Sequence, residues 1–390
     1  MNIAYFEIRL SGITRFPKWV HIHIQKSNSE LPLIFFYDQE DIDPSSIDLP
    51  GLHYILVKIQ DISEEAITKL FKQYDIKKLH VCAQRIPDSF LVAIAKKLSI
   101  KTYMYQHGLY VPFMKREPDL FYKNIYKSYR YLKYALLTAK TIKYSRYKLL
   151  LMYIQIYLFG VNRSEINFPS QLVNVDQVLV YGEFWKEYHF KNLDYSYEQQ
   201  HIVGAPDFSD IPILREADTI GKSICYIAQT LVEDGRLNRE IMLTFIDKLS
   251  NAVKKNRLNL HIRLHPRSDI TLYQNLPDNT VFTKKDFPKT EIYIGHYSSI
   301  LSKATFLSNN IILVDFPGHE IPKYIKSVST LNIKYNDSVG LVSSLAISLK
   351  QGVNEDLVTD NLAKQNFYFD SSIFNSSERV AKFILDEDIN

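Results

Sequence analysis

Short apolar runs alternate with amphipathic stretches along the first hundred residues. No other feature of the chain constrains its fold as much. "LPLIFFYD" at 31–38 and "HYILVKI" at 53–59 are strand-length runs of aliphatic and aromatic residues. "SEEAITKLFKQYD" at 63–75 begins with a serine followed by acids, then places apolar residues at helical spacing, the pattern of an N-capped helix. "KKLHVCA" at 77–83 reads as a strand, "PDSFLVAIAKKLS" at 87–99 as a helix, and "KTYMYQHG" at 101–108 as a further strand and its exit. Strand and helix in turn predict an α/β fold, with a parallel sheet covered by helices.

The rhythm resumes at 175–191 and 200–209. After a polar, linker-like "LREADTIGK" (214–222), a second series starts with the strand "SICYIAQT" (223–230). A helix at 238–256, strands at 258–266 and 291–299, a helix from about Ile300 to Leu307, a strand at 310–317 and a C-terminal helix at 376–388 follow. With 390 residues the chain is too long for one ordinary core. The expected division is 1–212 and 213–390, two doubly wound halves. Apolar residues at 46% and charged residues at 23% exclude wholesale disorder. Cys82 and Cys225 lie far apart in apolar runs, as expected of buried free thiols in a reducing compartment. There is no Cys/His cluster at zinc spacing, and no window has the apolar length of a membrane span. The N-terminus lacks the pattern of a secretory signal. These features predict a cytoplasmic protein.

One segment departs from the pattern. Residues 115–157, the core of a helical insertion at about 115–160, carry ten Lys/Arg, two acids and nine Tyr. Long basic side chains flanking aromatic and aliphatic ones suit a helix in the headgroup layer of an anionic membrane. They equally suit a basic helical hairpin packed on the domain. Nucleic acid is not expected, because no recognised binding module accompanies the patch.

Three strand exits carry unusual polar residues: Gln106-His107-Gly108, Arg263-Leu264-His265-Pro266-Arg267 and His296-Tyr297-Ser298-Ser299. An imidazole at a strand exit can donate to a phosphate oxygen, and Arg263 and Arg267 add fixed charge. Ser298 and Ser299 fall where a helix begins, so unpaired N–H groups and two hydroxyls favour an anion there. Simple helix capping needs only one serine. His107 suits either a general base or a structural histidine at a loop start. Glu233-Asp234-Gly235, after the first strand of the second half, reads as a solvated loop, with contact to a ligand in the cleft as the alternative.

His265-Pro266 followed by Ser298-Ser299 at a strand–helix turn resembles the C-terminal half of GT-B glycosyltransferases that use CMP-activated sugars. The bacterial sialyltransferases and capsular polysialyltransferases share an acidic motif, an HP motif and an S-S/T motif, of which the last two match here. Similar patterns occur in Kdo transferases and in CDP-glycerol polymerases. The slot of the acidic motif is filled by Gln106-His107-Gly108, closer to the teichoic acid polymerases, and histidine can accept a proton near neutrality where glutamine cannot. The glycine permits a sharp backbone turn.

The resemblance implies two Rossmann-like doubly wound domains facing a central cleft. It implies an inverting enzyme that moves a nonulosonic acid, of sialic or pseudaminic type, from a CMP donor to a hydroxyl of a capsule or lipooligosaccharide acceptor. His107 would be the base. His265 would act catalytically on the departing CMP, with Arg263, Pro266, Arg267, His296, Ser298 and Ser299 around the donor. Gln106, Gly108, Glu233 and Asp234 are further cleft candidates. No metal and no cofactor beyond the CMP-sugar are expected. The basic segment would hold the enzyme at the inner membrane face, near a lipid-linked acceptor. The alternatives are a CDP-polyol phosphotransferase or Kdo transferase of this architecture, and a non-catalytic protein that grips membrane or polyanion.

Overall fold

The computed structural model describes residues 2–13, 32–82, 85–106, 125–159, 173–284, 286–296, 298–318, 321, 326, 329, 331–360 and 375–385. They form two compact units, each built on one parallel sheet.

The first unit holds β1 (Asn2–Arg9), β2 (Leu33–Gln39), β3 (Tyr54–Lys58), β4 (Ile76–Val81), β5 (Lys101–Tyr105), β6 (Gln177–Val180) and β7 (Gln200–Ile202). Their order is β3-β2-β1-β4-β5-β6-β7, every pair parallel. The register sets Tyr5 of β1 level with Phe35 of β2 and His80 of β4. Both faces are covered, so β1 is buried along most of its length, as parallel strands are. Its helices are α1 (Glu64–Gln73), α2 (Ile86–Lys97), α3 (Ile125–Thr141), α4 (Arg146–Phe159) and α5 (Glu183–Leu193). Ser63 caps α1 as its sequence implies, its hydroxyl accepting from the Ala66 N–H at 3.2 Å. Residues 86–95 of α2 are buried on every side, because α3 packs along its outer surface.

The basic, tyrosine-rich segment is therefore partly a packed helical element. Tyr134, Ala135, Thr138 and Ala139 of α3 are buried. Arg130 donates through Nε to the buried carboxylate of Asp38 at 2.5 Å. On α4, by contrast, Tyr147, Leu150, Leu151 and Ile154 are exposed.

Among the described residues the second unit begins at Asp210. It comprises α6 (Ile211–Glu216), β8 (Ile220–Ile227), α7 (Arg239–Asn256), β9 (Asn259–Arg263), β10 (Val281–Thr283), β11 (Thr290–Gly295), α8 (Ser299–Ala304), β12 (Ile311–Asp315), β13 (Leu331–Lys334) and α9 (Ser338–Gln351). The strand order is β10-β9-β8-β11-β12-β13, again all parallel. The chain winds outward from β8 through β9 to β10, then returns to the other side of β8 for β11, β12 and β13. Met242, Phe245, Ile246, Leu249 and Val253 lie on the buried stripe of α7, which packs with α9 on one sheet face. Leu301, Ala304 and Leu307 close the other face.

Three expectations change. The segment 214–222 is not a linker throughout: α6 takes its first residues and β8 starts at Ile220, where the Ile220 N–H donates to the Lys289 carbonyl. The strand drawn to residue 266 ends at Arg263, so His265 belongs to the turn beyond it. The C-terminal helix, α10 (Ser376–Leu385), packs on the first unit. Val380, Ala381 and Ile384 join that unit's core, and buried Lys78 of β4 donates to the Ile384 carbonyl at 2.8 Å, a cation at a helix C-terminus. Cys82 and Cys225 are buried and in no disulfide, as expected, and burial pushes the Cys225 thiol up to about 12.

Candidate functional site

In the second unit the exits of β8, β9, β11 and β12 lie on one edge, because all the strands run the same way. Winding direction reverses between β8 and β11. Open α/β sheets bind ligands at the carboxyl ends of their strands, beside such a reversal. The loop after β8 (residues 228–238), the turn after β9 (264–269) and residues 296 and 298 after β11 are delivered there.

The turn after β9 is set by its sequence. Pro266 occupies the second position of a four-residue turn, where its fixed φ is already correct. The Ser268 N–H donates to the His265 carbonyl at 2.9 Å, and the His265 N–H donates to the Ser268 hydroxyl at 3.0 Å. The Arg267 N–H points back to Nδ1 of His265 at 3.2 Å. With Nδ1 accepting, the neutral imidazole carries its proton on Nε2, so the ring is oriented as an N–H donor. His265 is half-buried and Pro266 and Arg267 are exposed. Arg263 lies level with Ile227 of β8 and Thr283 of β10, and its Nη1 donates to the Leu264 carbonyl at 2.7 Å.

Glu233 and Asp234 do not form a solvated loop, contrary to expectation. The Asp234 carboxylate accepts from Arg267 Nη1 at 2.7 Å and from the Thr230 hydroxyl at 2.9 Å. Oε1 of Glu233 accepts from the Asp269 N–H at 2.6 Å. β8 and β9 are hydrogen-bonded neighbours, so the loops leaving them meet. Burial alone would raise the pKa of Asp234; hydrogen bonds from Arg267 and Thr230 outweigh it, and the carboxyl lies below its ordinary value. The same contacts direct the Arg267 guanidinium to Asp234, although its sequence position suggested a donor ligand. Thr230, Ser268 and Asp269, which complete this network, carried no motif of their own.

At the exit of β11, Ser298 is the N-cap of α8, its hydroxyl accepting from the Leu301 N–H at 3.2 Å. The capping role is thus filled by one serine. Ser299 is the first residue of α8, and its side chain lies outside the described set. Gly295 brings strand and helix close: a Cβ there would stand 3.3 Å from both Leu301 methyls and 3.6 Å from the Ile227 carbonyl oxygen. His296 is buried, with Nδ1 2.7 Å from the Val314 carbonyl oxygen. A carbonyl only accepts, so Nδ1 carries the proton and Nε2 of the neutral ring is an acceptor. Donation by His296 to a phosphate would require the doubly protonated ring.

In the first unit, Gln106 is structural. Its side-chain oxygen accepts from the Tyr181 N–H at 3.0 Å and its own N–H donates to Leu179 O at 2.9 Å, tying the exit of β5 to β6. His107 and Gly108 lie outside the described residues. The reversal of winding in this sheet, between β1 and β4, holds a charged cluster that no motif announced. Asp88 takes Arg85 through Nε at 2.6 Å and Nη2 at 2.9 Å, and Glu7 takes Nη1. Both carboxylates are buried, and burial pushes Asp88 up to about 6 despite the guanidinium.

Among the described residues no group of three or more His, Cys, Asp or Glu could hold a metal ion. Among them, too, no helix is long and apolar enough to cross a membrane.

Comparison with known proteins agrees with this architecture. Solved structures share the fold across nearly the whole chain. A UDP-GlcNAc 2-epimerase from Neisseria meningitidis bound to UDP-GlcNAc is 11% identical, with a TM-score of 0.57 over 99% of this chain and 100% of that one. A variant of the wall teichoic acid polymerase TagF is 13% identical, with a TM-score of 0.58 over 99% and 88%. The glycotransferase of kitacinnamycin is 10% identical, with a TM-score of 0.54 over 99% and 98%. These likenesses establish the GT-B fold, two Rossmann-like α/β domains. No curated protein matches the chain. A family model does: residues 25–314, well over half the chain, match the alpha-2,8-polysialyltransferase (POLYST) family. The chain belongs to that family, and is a glycosyltransferase with a nucleotide-sugar donor and a glycan acceptor.

Proposed function

We propose that this glycosyltransferase moves a nonulosonic acid of sialic type from a CMP-activated donor to a hydroxyl of a surface polysaccharide, with inversion at the anomeric carbon. The observation that carries the reading is the family match, whose members are named for polysialyl transfer. The chemistry of the second unit's edge supports it. An imidazole donor at His265, the half-buried cation Arg263 and the hydroxyl of Ser298 suit a phosphate and the carboxylate of an acidic sugar.

In this reading His107 removes the proton of the acceptor hydroxyl. The oxygen attacks the anomeric carbon as the bond to the CMP phosphate breaks, and Nε2–H of His265 donates to the departing phosphate oxygen. No metal enters the reading. His107→Ala and His265→Ala should each lower turnover by orders of magnitude with the melting temperature unchanged. Near wild-type turnover in either variant removes that residue's role. CMP should raise the melting temperature of the wild-type protein, and a protein without a nucleotide pocket shows no such rise.

We further propose that α4 rests on the anionic inner face of the membrane, near a lipid-linked acceptor. Tyr147, Leu150, Leu151 and Ile154 recur at helical spacing and are exposed, with exposed Lys140, Lys143, Arg146 and Lys148 around them. Leu150→Glu/Ile154→Glu should abolish co-sedimentation with phosphatidylserine vesicles. Undiminished binding would exclude this face.

A further inference from the structure

The Glu233-Asp234-Gly235 turn and the His265 turn are joined through the Arg267 guanidinium and the Asp269 N–H. We infer that the Glu233-Asp234-Gly235 turn positions His265 for the donor, by fixing through Arg267 which imidazole nitrogen carries the proton. The value of this device rests on the proposed role of His265; its existence does not.

The chain of contacts is continuous. Gly235 sits at φ +66°, the left-handed region that favours glycine, and its N–H donates to Val232 O at 3.0 Å. The Asp234 N–H donates to Thr230 O at 3.0 Å and the Arg236 N–H to Leu231 O at 2.7 Å, so residues 230–236 form a wound turn with Asp234 facing the next loop. Asp234 then holds Arg267 by two nitrogens, Nη1 at 2.7 Å and Nη2 at 3.4 Å, while Nη2 also reaches the Thr230 hydroxyl at 3.3 Å. Arg267 is thereby fixed at its side-chain end. Its backbone N–H is the group that meets Nδ1 of His265. Glu233 pins the far side of the same turn through the Asp269 N–H, and Asp269 in turn accepts from Arg239 of α7 at 2.9 Å.

A carboxylate on one loop therefore governs a proton position on another. An Nδ1 acceptor requires an Nε2–H donor, the form a departing phosphate needs. Without Asp234 the guanidinium, whose side chain is 51% exposed, keeps only the long contact to the Thr230 hydroxyl at 3.3 Å, and the Arg267 N–H is no longer held against Nδ1. The imidazole can then rotate or take either tautomer. Glu233 and Asp234 touch no reacting atom in this scheme; they are positioning residues.

The test uses the full-length protein with Asp234→Asn, Arg267→Met, the double variant, and Glu233→Gln. Nitrogen-15 NMR of the imidazoles, with His265 assigned by loss of its signal in His265→Gln, reads the tautomer directly and needs no donor. Wild type should show an unprotonated Nδ1 and a protonated Nε2, and both Asp234→Asn and Arg267→Met should show a mixture. With a CMP-sugar donor, kcat/KM should fall about 10- to 100-fold in each single variant. The double variant should be no worse than the poorer single, since one linkage is broken once. Arg267 is half exposed, so Arg267→Met keeps the test alive if Asp234→Asn fails to fold. An unchanged tautomer in a folded variant, or additive kinetic losses, overturns the inference. Full turnover in His265→Ala would instead overturn the donor reading and leave the tautomer result to judge the linkage.

Discussion

Acid should destabilise the first unit by an amount the structure sets. His80 and His189 are fully buried, and burial pushes both imidazoles from 6.5 down to about 3. His80 stacks on Tyr103 with ring centres 4.7 Å apart and bonds the Tyr105 hydroxyl at 2.8 Å, so the neutral ring is the one that fits. Native values lie below unfolded ones. The stability is therefore present above pH 6.5 and lost as pH falls toward 3. Between pH 7.5 and 5, each ring costs about 2 kcal/mol, or about 4 together.

Asp88 works the other way. Its native value of about 6 lies above the unfolded 3.8, so it contributes most below that range and loses stability as pH rises through 6. It returns about 1.4 kcal/mol over the same interval, leaving a net loss of about 3 kcal/mol. Urea titrations at the two pH values, followed by fluorescence of the buried Trp185 in a Trp19→Phe background, measure this. Comparison with His189→Phe cancels every other titrating group. The variant should lose about 2 kcal/mol less than its parent on acidification. Equal losses would refute the argument that His189 is held neutral by burial.

Two further predictions concern packing. Gly295→Ala should cost about 1–3 kcal/mol in the second unit, because its Cβ would meet both Leu301 methyls at 3.3 Å. No change in the urea midpoint would mean that Leu301 can yield. Arg130→Met leaves the buried Asp38 carboxylate without its ion-pair partner and should cost about 3–5 kcal/mol in the first unit. A loss under 1 kcal/mol would show that α3 is not anchored there.

The helix α1 was legible because its signals are local: Ser63 caps, acids follow, and Ile67 and Phe71 repeat at helical spacing. The parallel sheets are legible because strand-length apolar runs alternate with amphipathic helical stretches. β1 is hidden in the sequence, since Glu7 puts a charge inside it that Arg85, 78 residues on, balances. The end of β9 is masked because alternation continues through His265, while Pro266 and Ser268 close a turn that takes His265 off the sheet. α10 announced an apolar face but not its partner, since Lys78 lies 306 residues from Ile384. The Asp234–Arg267 pair was hidden for a similar reason. It depends on β8 and β9 being neighbours, which strand order decides and local sequence does not. α9 gives a weak signal because its serines weaken the apolar period.

The proposed donor is a CMP-activated acidic sugar. The direct measurement incubates the purified protein and an oligosialic acceptor with CMP-sialic acid, CDP-glycerol or UDP-GlcNAc, and follows nucleotide release and acceptor mass. CMP release with growth of the acceptor by sialic acid, from the first donor alone, is the expected result. Extension from CDP-glycerol or UDP-GlcNAc, with CMP-sialic acid left intact, would contradict it.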